Sequence, residues 1–283
     1  MTQSPESIEV DYRISQGRPH EVADAIRVEQ TIEFPFDLAP GWIQDEVVGR
    51  VVSVQGDILT LAFDPAVARG GLTPLLNLLW GNVSLFPGIR ITGLRLPPDL
   101  LQTFSGPRYG IPGLRSYFDV PDRALLCTAL KPMGLSADEL ASIAGKLARA
   151  GFDIIKDDHG LADQPWAPWR ERIRTIADAV HSANSASGSA AVYMPSLNVS
   201  SDNLVVAAFE AKDAGAGALL ILPGLCGMDA MRSLADDDDL ALPIMAHPSF
   251  LGSHVINQHH GLDRKSTRLN SSHSSVSRMP SSA

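Results

Sequence analysis

Four consecutive ionisable residues follow a short apolar segment in the middle of the chain. Lys156, Asp157, Asp158 and His159 come directly after residues 152–155 (FDII), which have the character of a buried strand. A lysine beside carboxylates can react with carbon dioxide, and the carbamate and carboxylate oxygens together suit Mg²⁺, a hard cation. A metal ion held in this way polarises a substrate carbonyl and stabilises an enediolate. Considered alone, the KDDH run is also compatible with a solvated loop that follows a strand.

Repeated strand and helix patterns surround this run. After about residue 115, short apolar segments alternate with helical segments at intervals of about 25 to 40 residues, the size of a βαβ unit. One predicted helix begins at Ser136, where Glu139 completes a capping box. The apolar segments are each followed by polar or turn residues, at Lys131, Lys156, Asn198, Pro223-Gly224 and His247.

The distribution of these polar residues distinguishes two α/β folds. A (β/α)8 barrel draws its active site from the carboxyl ends of many strands. A doubly wound sheet would concentrate function at one switch point with a glycine-rich first turn, and no GxGxxG follows a predicted strand here. The sequence therefore favours a TIM barrel over a doubly wound sheet.

The first part of the chain has a different pattern. Apolar and polar residues alternate in residues 8–13 and 90–96, which predicts strands. Residues 47–63 are predicted to form a β-hairpin around Gly56-Asp57. Residues 21–32 and 72–79 are predicted to be helical. We therefore predict an α+β domain of the ferredoxin-like type at residues 1–114 and the barrel domain at residues 115–262.

The last segment, residues 263–283, is rich in serine and has no hydrophobic period. Such a segment can be a disordered tail. However, codons for residues 263–273 and 277–283 can be written as the two ends of a sequencing adapter, so we interpret the segment as an artefact. We accordingly expect the natural sequence to be interrupted near Leu262, with room for about five barrel strands.

Composition excludes several classes of protein. The formal net charge of -9 argues against nucleic-acid binding. No apolar run reaches the roughly 18 residues that a membrane helix needs, and the polar start is unlike a signal peptide. Cys127 and Cys226 have no CxxC spacing and are predicted to be reduced. The sequence thus predicts a cytoplasmic protein without nucleic-acid or membrane partners.

Several motifs resemble those of ribulose-bisphosphate carboxylase (RuBisCO) large chains, in the divergent RuBisCO-like branch called form IV. The family pattern G-x-D-x-x-K-D-D-E followed by Q-P-x-x-x-W-R-x-R corresponds to residues 151–172 of this chain. Further matches, in family order, are residues 81–83 (GNV), 104–107 (FSGP), 110–111 (GI), 127–128 (CT), 131–132 (KP) and 134–136 (GLS). The resemblance extends from about Ile8 to Gly261.

This resemblance implies roles for individual residues. It implies a Mg²⁺ ion bound by carbamylated Lys156, by Asp158 and by the residue at position 159, with a phosphorylated sugar-like substrate. It also implies a homodimer in which the N-terminal domain of one chain covers the barrel of the other. The residues implied in catalysis are Lys131, Lys156 and His247, and those implied in substrate binding are Asn82, Glu29 and Thr128.

Four departures from the family pattern limit what can be carried over. His159 stands where the family has a glutamate ligand, and imidazole suits Zn²⁺, Fe²⁺ or Mn²⁺ better than Mg²⁺. Met133 stands in place of a second lysine, and Pro248 in place of a phosphate-binding arginine. One residue is also inserted between Thr128 and Lys131. These changes favour a RuBisCO-like protein over a carboxylase.

The expected activity is metal-assisted enolisation, isomerisation or decarboxylation next to a ketone, and it is expected of the parent protein rather than of an interrupted chain. His159 and Pro248 favour the RuBisCO-like decarboxylases or hydrolases of sugar acids over the enolases and isomerases of methionine salvage. The alternatives are a genuine carboxylase and a non-catalytic stress or scaffold protein.

Overall fold

A computed structural model describes residues 6–262. These residues form two compact units, residues 6–106 together with 250–262, and residues 107–249. The strands are β1 (Ile8–Ile14), β2 (Arg50–Gln55), β3 (Ile58–Phe63), β4 (Ile89–Arg95), β5 (Cys127–Leu130), β6 (Ile154–Asp157), β7 (Val192–Met194), β8 (Leu219–Ile221), β9 (Ile244–Ala246) and β10 (Gly261–Leu262).

The helices vary from single turns to five turns in length. They are α1 (Pro19–Glu29), α2 (Gly41–Glu46), α3 (Leu72–Trp80), α4 (Pro98–Leu101), α5 (Gly110–Tyr117), α6 (Ala137–Arg149), α7 (Trp169–Ser187), α8 (Leu204–Asp213), α9 (Pro223–Cys226), α10 (Met228–Asp236) and α11 (Gly252–Val255). Short 3₁₀ helices are found at Phe36–Leu38, Pro65–Ala68, Asn82–Leu85 and Ser201–Asn203.

The first unit contains one sheet with the strand order β10-β4-β1-β3-β2. Strand β1 is antiparallel to both β3 and β4, and its residues Ile8, Val10, Tyr12 and Ile14 are buried on one face. This burial has the period of two that the sequence predicts. Strands β1 to β4 with α1 and α3 give a β-α-β-β-α-β succession, which confirms the ferredoxin-like α+β prediction.

The second unit contains five parallel strands. Strands β5, β6 and β7 pair in sequence order, β8 pairs with β9, and a parallel bridge between Ser196 and Leu220 links the two groups. Neighbours in space are therefore neighbours in sequence, with helices between them, as in a (β/α)8 barrel. The five predicted barrel strands are confirmed, and the capping box at Ser136 and Glu139 begins α6 as expected.

The two faces of this parallel sheet bury different clusters. One face carries Ile154, Met194 and Leu220, which pack with Phe118. The opposite face carries residues such as Ile155, which pack against the surrounding helices. Because side chains alternate along a strand, the face on which a residue lies decides whether it can join a site inside the barrel.

The predicted domain division, with its boundary after residue 114, remains a prediction. In the structure the boundary between the two units along the sequence lies between Gly106 and Pro107. Residues 250–262 belong to the first unit. Residues 263–283, interpreted as an artefactual tail, lie outside the described residues. Within residues 6–262, no helix combines the length and the apolar character needed to cross a membrane.

Candidate active site

Strand β6 directs Lys156 to the barrel-interior face of the sheet. Lys156 pairs in register with Ala129 of β5 and with Met194 of β7, and Met194 belongs to the interior cluster. Its Nζ donates to the backbone oxygen of Asp157 at 3.0 Å. Burial lowers the pKa of the Lys156 ammonium, although the charges of Cys127 and Asp158 act in the opposite direction. A lower pKa increases the fraction of neutral amine, which is the form that reacts with carbon dioxide.

Asp158 lies two residues further along and is almost fully buried. Its Oδ1 accepts the backbone N–H of Gly160 at 3.0 Å and is 3.2 Å from His159 Nδ1. Its Oδ2 forms an ion pair with Lys131 Nζ. Burial raises the pKa of the Asp158 carboxyl, but the bonds from Lys131 and Gly160 outweigh it and lower the pKa overall. Asp158 is therefore an ionised carboxylate with a cationic partner.

His247 follows β9 and meets His159 from the loop after β6. The two imidazole rings stack with centroids 4.2 Å apart and an interplanar angle of 11°. Burial, followed by the positive charges of His159 and Lys156, lowers the pKa of His247 to about 4. The ring is therefore neutral at physiological pH. Its Nδ1 is in contact with Ser249, at 2.8 Å from the hydroxyl oxygen and at 3.3 Å from the backbone nitrogen.

Asn198, after β7, contributes to the same edge of the sheet. Its Nδ2 donates to the backbone oxygen of His159 at 3.2 Å and so links the loops after β6 and β7. The structure thus brings together five residues that follow predicted strands: Lys131, Lys156, Asp158, His159 and His247.

Asp157 does not belong to this cluster, although it lies between two of its members. It is 0% exposed, on the opposite face of β6. Its carboxylate accepts from Tyr193 Oη at 2.8 Å, from the N–H of Ser196 at 3.1 Å and from Arg172 Nε at 3.3 Å. The structure therefore excludes Asp157 as a metal ligand, although it lies between Lys156 and Asp158 in the sequence. The strand period of two is the sequence signal that separates its role from that of Lys156.

Thr128, predicted to bind substrate, is not brought to the cluster. It pairs in register with Ile155, whose side chain packs against the helices, and so lies on the face opposite Lys156. The physical reason is the residue inserted between Thr128 and Lys131. A spacing of three sends the two side chains to opposite faces, whereas the family spacing of two keeps them on the same face.

Asn82 and Glu29 lie in the first unit, and there they are bonded to each other. Asn82 Nδ2 donates to Glu29 Oε1 at 3.0 Å and to Glu33 Oε1 at 3.2 Å. Gln30 joins the same two segments, since its Oε1 accepts the N–H of Val83 at 3.0 Å and its Nε2 donates to the oxygen of Leu78 at 2.7 Å. The end of α1 and the 3₁₀ helix at Asn82–Leu85 thus form one polar corner.

The side chains of this cluster fit a metal ion if Lys156 is carbamylated. Among residues 6–262, no three His, Cys, Asp or Glu side chains are grouped so as to hold a metal ion. Asp158 and His159 therefore need a ligand of another type, and carbamylation of Lys156 would supply oxygen donors from the correct face. Asp158 Oδ1 and His159 Nδ1, 3.2 Å apart, have roughly the separation of adjacent ligand atoms around an octahedral ion.

The chain is similar to proteins of one known family. Residues 110–270 match the family described as ribulose bisphosphate carboxylase large chain, catalytic domain. Ribulose bisphosphate carboxylase-like protein 1 of Rhodopseudomonas palustris is 35% identical over 89% of this chain and 70% of the relative. The 5-methylthioribulose-1-phosphate isomerase of Rhodospirillum rubrum is 37% identical over 81% of this chain and 63% of its own length.

A further relative, the 2,3-diketo-5-methylthiopentyl-1-phosphate enolase of Geobacillus kaustophilus, is 32% identical over 72% of this chain and 50% of its own length. This chain therefore spans between half and about two thirds of the relatives whose names state an activity. The crystal structure of a Rubisco-like protein from Rhodopseudomonas palustris superposes with a TM-score of 0.80 and 33% identity, over 92% of this chain and 72% of the other. RuBisCO-like proteins are among its relatives, and the chain belongs to the ribulose bisphosphate carboxylase large chain family.

Proposed function

We propose that the whole protein to which this chain belongs catalyses enolisation or isomerisation of a phosphorylated, sugar-like ketone. The observation that carries the proposal is the convergence of two lysines, one carboxylate and two histidines at the carboxyl ends of β5, β6 and β9. Lys156 and Asp158, with His159, would hold a divalent ion, for which Mg²⁺ is the first candidate. When bound, the ion supplies positive charge that stabilises an enediolate oxygen.

Position and side-chain chemistry suggest roles for the remaining residues of the cluster. Lys131 is 65% exposed and extends from the end of β5 beside Asp158, so its amine can reach a substrate proton. With a pKa lowered to about 4, His247 is a weak base, so in this proposal it contacts the substrate through Nε2 and does not remove the proton. Lys131 moves the proton in this proposal, and His247 orients the substrate.

The choice between enolisation and decarboxylation rests on the relatives. The named relatives are an isomerase and an enolase of methylthio sugar phosphates. The preference for sugar-acid decarboxylation that His159 and Pro248 suggest has no counterpart among these names. We therefore propose a phosphorylated ketone with the proton on the adjacent carbon as the substrate class.

We also propose that the active protein is a homodimer. Asn82 and Glu29 are tied into one corner of the first unit by a direct hydrogen bond. A rigid corner that presents an amide and a carboxylate is suited to contact a substrate held by a second chain. Complementation between two inactive variants tests homodimer formation.

The carboxylase alternative requires a second lysine, and Met133 stands at that position. The terminal methyl of Met133 approaches Gly160, close to the loop that carries Asp158 and His159. A thioether cannot donate a proton or hold a carboxylate there. Radiolabelled carbon dioxide fixation would reveal a carboxylase. A scaffold protein with a decayed site would instead bind no divalent ion.

The proposed reaction is tested by proton exchange. The whole protein is incubated in D₂O with 5-methylthioribulose 1-phosphate, Mg²⁺ and bicarbonate, and deuterium entry beside the carbonyl is followed by NMR. We expect exchange with the wild type and its loss in Lys156→Ala. The diketone 2,3-diketo-5-methylthiopentyl 1-phosphate is tested in the same way as a second candidate substrate. Absence of exchange with both compounds contradicts the proposal.

A further inference from the structure

We propose that Lys131 competes with the metal ion for Asp158, so that metal binding must first displace the Lys131 ammonium group. This inference rests on the proposed function, because it concerns the same metal site. Its starting point is the ion pair between Lys131 Nζ and Asp158 Oδ2. An ammonium group bonded to a carboxylate oxygen occupies the position that a cation would take.

The two oxygens of Asp158 are not equivalent. Oδ1 accepts the backbone N–H of Gly160 and lies next to His159 Nδ1. The N–H of Gly160 cannot move away from Oδ1 unless the backbone of the loop changes its conformation. Oδ2 is bonded to a side chain, which can move away more easily than the backbone can. A metal ion therefore binds Oδ2 with less rearrangement of the protein. The competition is therefore for Oδ2.

The burial of Asp158 makes the competition strong, and the exposure of Lys131 makes it reversible. The Asp158 side chain is only 11% exposed, so water screens its charge poorly. The Lys131 side chain is 65% exposed and can rotate into solvent without leaving a cavity. Lys131 can thus neutralise Asp158 in the free protein and still leave when a stronger cation arrives.

Charge balance determines which partner Asp158 keeps. Before modification, the Lys131 ammonium neutralises Asp158, and the Lys156 ammonium is a further cation beside this pair. Carbamylation converts Lys156 from a cation to an anion, so Asp158, the carbamate and a divalent ion together are neutral. An ammonium group at Oδ2 would then be a surplus positive charge beside the metal ion, and repulsion favours its departure.

The consequence is a link between metal loading and proton transfer. While Lys131 is bonded to Asp158, its amine is directed at a carboxylate rather than at a substrate. Displacement by the metal ion frees Lys131 to face the substrate. The residue that moves the proton therefore becomes available only in the loaded site.

The test is a Mn²⁺ titration of this chain in bicarbonate buffer, with free Mn²⁺ measured by electron paramagnetic resonance. Lys131→Met removes the ammonium group and keeps the length of the side chain. We expect it to bind Mn²⁺ about tenfold more tightly than the wild type, since both the competitor and a like charge are removed. Lys131→Arg retains the charge and should bind no more tightly than the wild type.

Lys146→Met is the matched control, because Lys146 is exposed on α6 and its loss changes the net charge equally. Tighter binding in Lys131→Met alone supports the proposal. Equal tightening in Lys146→Met reveals a bulk charge effect and overturns it. Unchanged or weaker binding in Lys131→Met overturns it while leaving the metal site intact. If neither the wild type nor Lys131→Met binds Mn²⁺, the proposed metal site fails as well.

A second measurement uses the wild type and so does not depend on the folding of a variant. Acetic anhydride labelling of Lys131 is followed by mass spectrometry with and without saturating Mn²⁺. Displacement from Asp158 predicts faster acetylation of Lys131 in the presence of Mn²⁺, with Lys146 labelled at an unchanged rate. Slower or unchanged labelling of Lys131 contradicts the proposal.

Discussion

Lys156 and Asp157 are consecutive residues of β6, yet their side chains leave the sheet on opposite faces. Lys156 lies on the face that carries the interior cluster, and Asp157 lies on the helix face in contact with Arg172. One KDDH run thus contains a residue that we propose holds the metal ion and a residue that forms a buried ion pair. Substitutions at the two positions should therefore have different effects.

Asp157→Asn is expected to destabilise the protein. Asp157 and Arg172 are both 0% exposed, and removal of the carboxylate leaves the guanidinium buried without its partner. The expected loss is about 3 kcal/mol in the free energy of unfolding, the usual scale for breaking a buried ion pair. Urea denaturation measures it, with the exposed Asp202→Asn as the control that should change by less than about 0.5 kcal/mol.

A double-mutant cycle separates the pair from other effects. Arg172→Met and Asp157→Asn should each destabilise the protein, and the double variant should lose less than the sum of the two. Additive losses would mean that the two side chains do not interact, contrary to their 3.3 Å contact.

Much of this arrangement follows from the sequence, because it depends on local period and on motif order. Short-range signals exist for the strand β6, for the helix capped by Ser136 and for the ferredoxin-like β-α-β-β-α-β order. The partners of Asp157 have no such signal, because they are distant in sequence, 15 residues away at Arg172 and 36 at Tyr193. The bond between Asn82 and Glu29, 53 residues apart, has no local signal either.

Thr128→Val should leave metal binding and proton exchange nearly unchanged. Thr128 lies on the helix face of β5, in register with Ile155, so its hydroxyl is directed away from Lys156. The valine side chain keeps its volume. The measurement is the exchange rate of the whole protein, for which we expect a change of less than about twofold, equivalent to roughly 0.4 kcal/mol. A loss comparable to that of Lys156→Ala would mean that Thr128 contacts the substrate after all.

Asp153 belongs to the family motif and lies two residues before Ile155. We expect it to make the free energy of unfolding decrease as the pH becomes acidic. The bidentate bond with Arg123 lowers the pKa of Asp153, against the opposing effect of burial, and the N–H of Leu126 lowers it further. A carboxyl whose folded pKa is depressed contributes its full stability above its ordinary value of 3.8. That contribution is lost as the pH falls through the lower folded pKa.

The pKa of Asp153 can be measured by NMR titration of its carboxyl carbon. We expect a value below 3.8 in the wild type and a higher value in Arg123→Met, because the guanidinium that holds the carboxylate is removed. Equal values in the two proteins would show that Arg123 does not determine the ionisation of Asp153.

Complementation tests the proposed homodimer of the whole protein. If Asn82 of one chain acts on the barrel of its partner, Asn82→Ala and Lys156→Ala should each be inactive alone. Mixed and refolded together, they should regain up to about one quarter of the wild-type activity, because one site of each heterodimer is then intact. No recovery, with dimers demonstrated by sedimentation, would indicate that both residues act within one chain.

The last prediction concerns the metal ligands themselves. Lys156→Ala removes the carbamate, and Lys156→Arg cannot form one because its guanidinium stays protonated. Both should lose most of the metal-dependent proton exchange. His159→Glu restores an oxygen donor beside Asp158 Oδ1, from which His159 Nδ1 is now 3.2 Å away. Since Mg²⁺ prefers carboxylate oxygen, this variant should shift metal preference from Mn²⁺ toward Mg²⁺.

The control for His159→Glu is His181→Glu, which makes the same change of side chain on the exposed face of α7. Metal titrations of proton exchange with Mg²⁺ and Mn²⁺ compare the three proteins. A shift confined to His159→Glu supports direct ligation at position 159. Identical curves for wild type and His159→Glu would mean that His159 acts through its stack on His247, outside the metal shell, with Asp158 and the Lys156 carbamate as the protein ligands. Carbon dioxide fixation should remain absent in His159→Glu, because Met133 and Pro248 are unchanged.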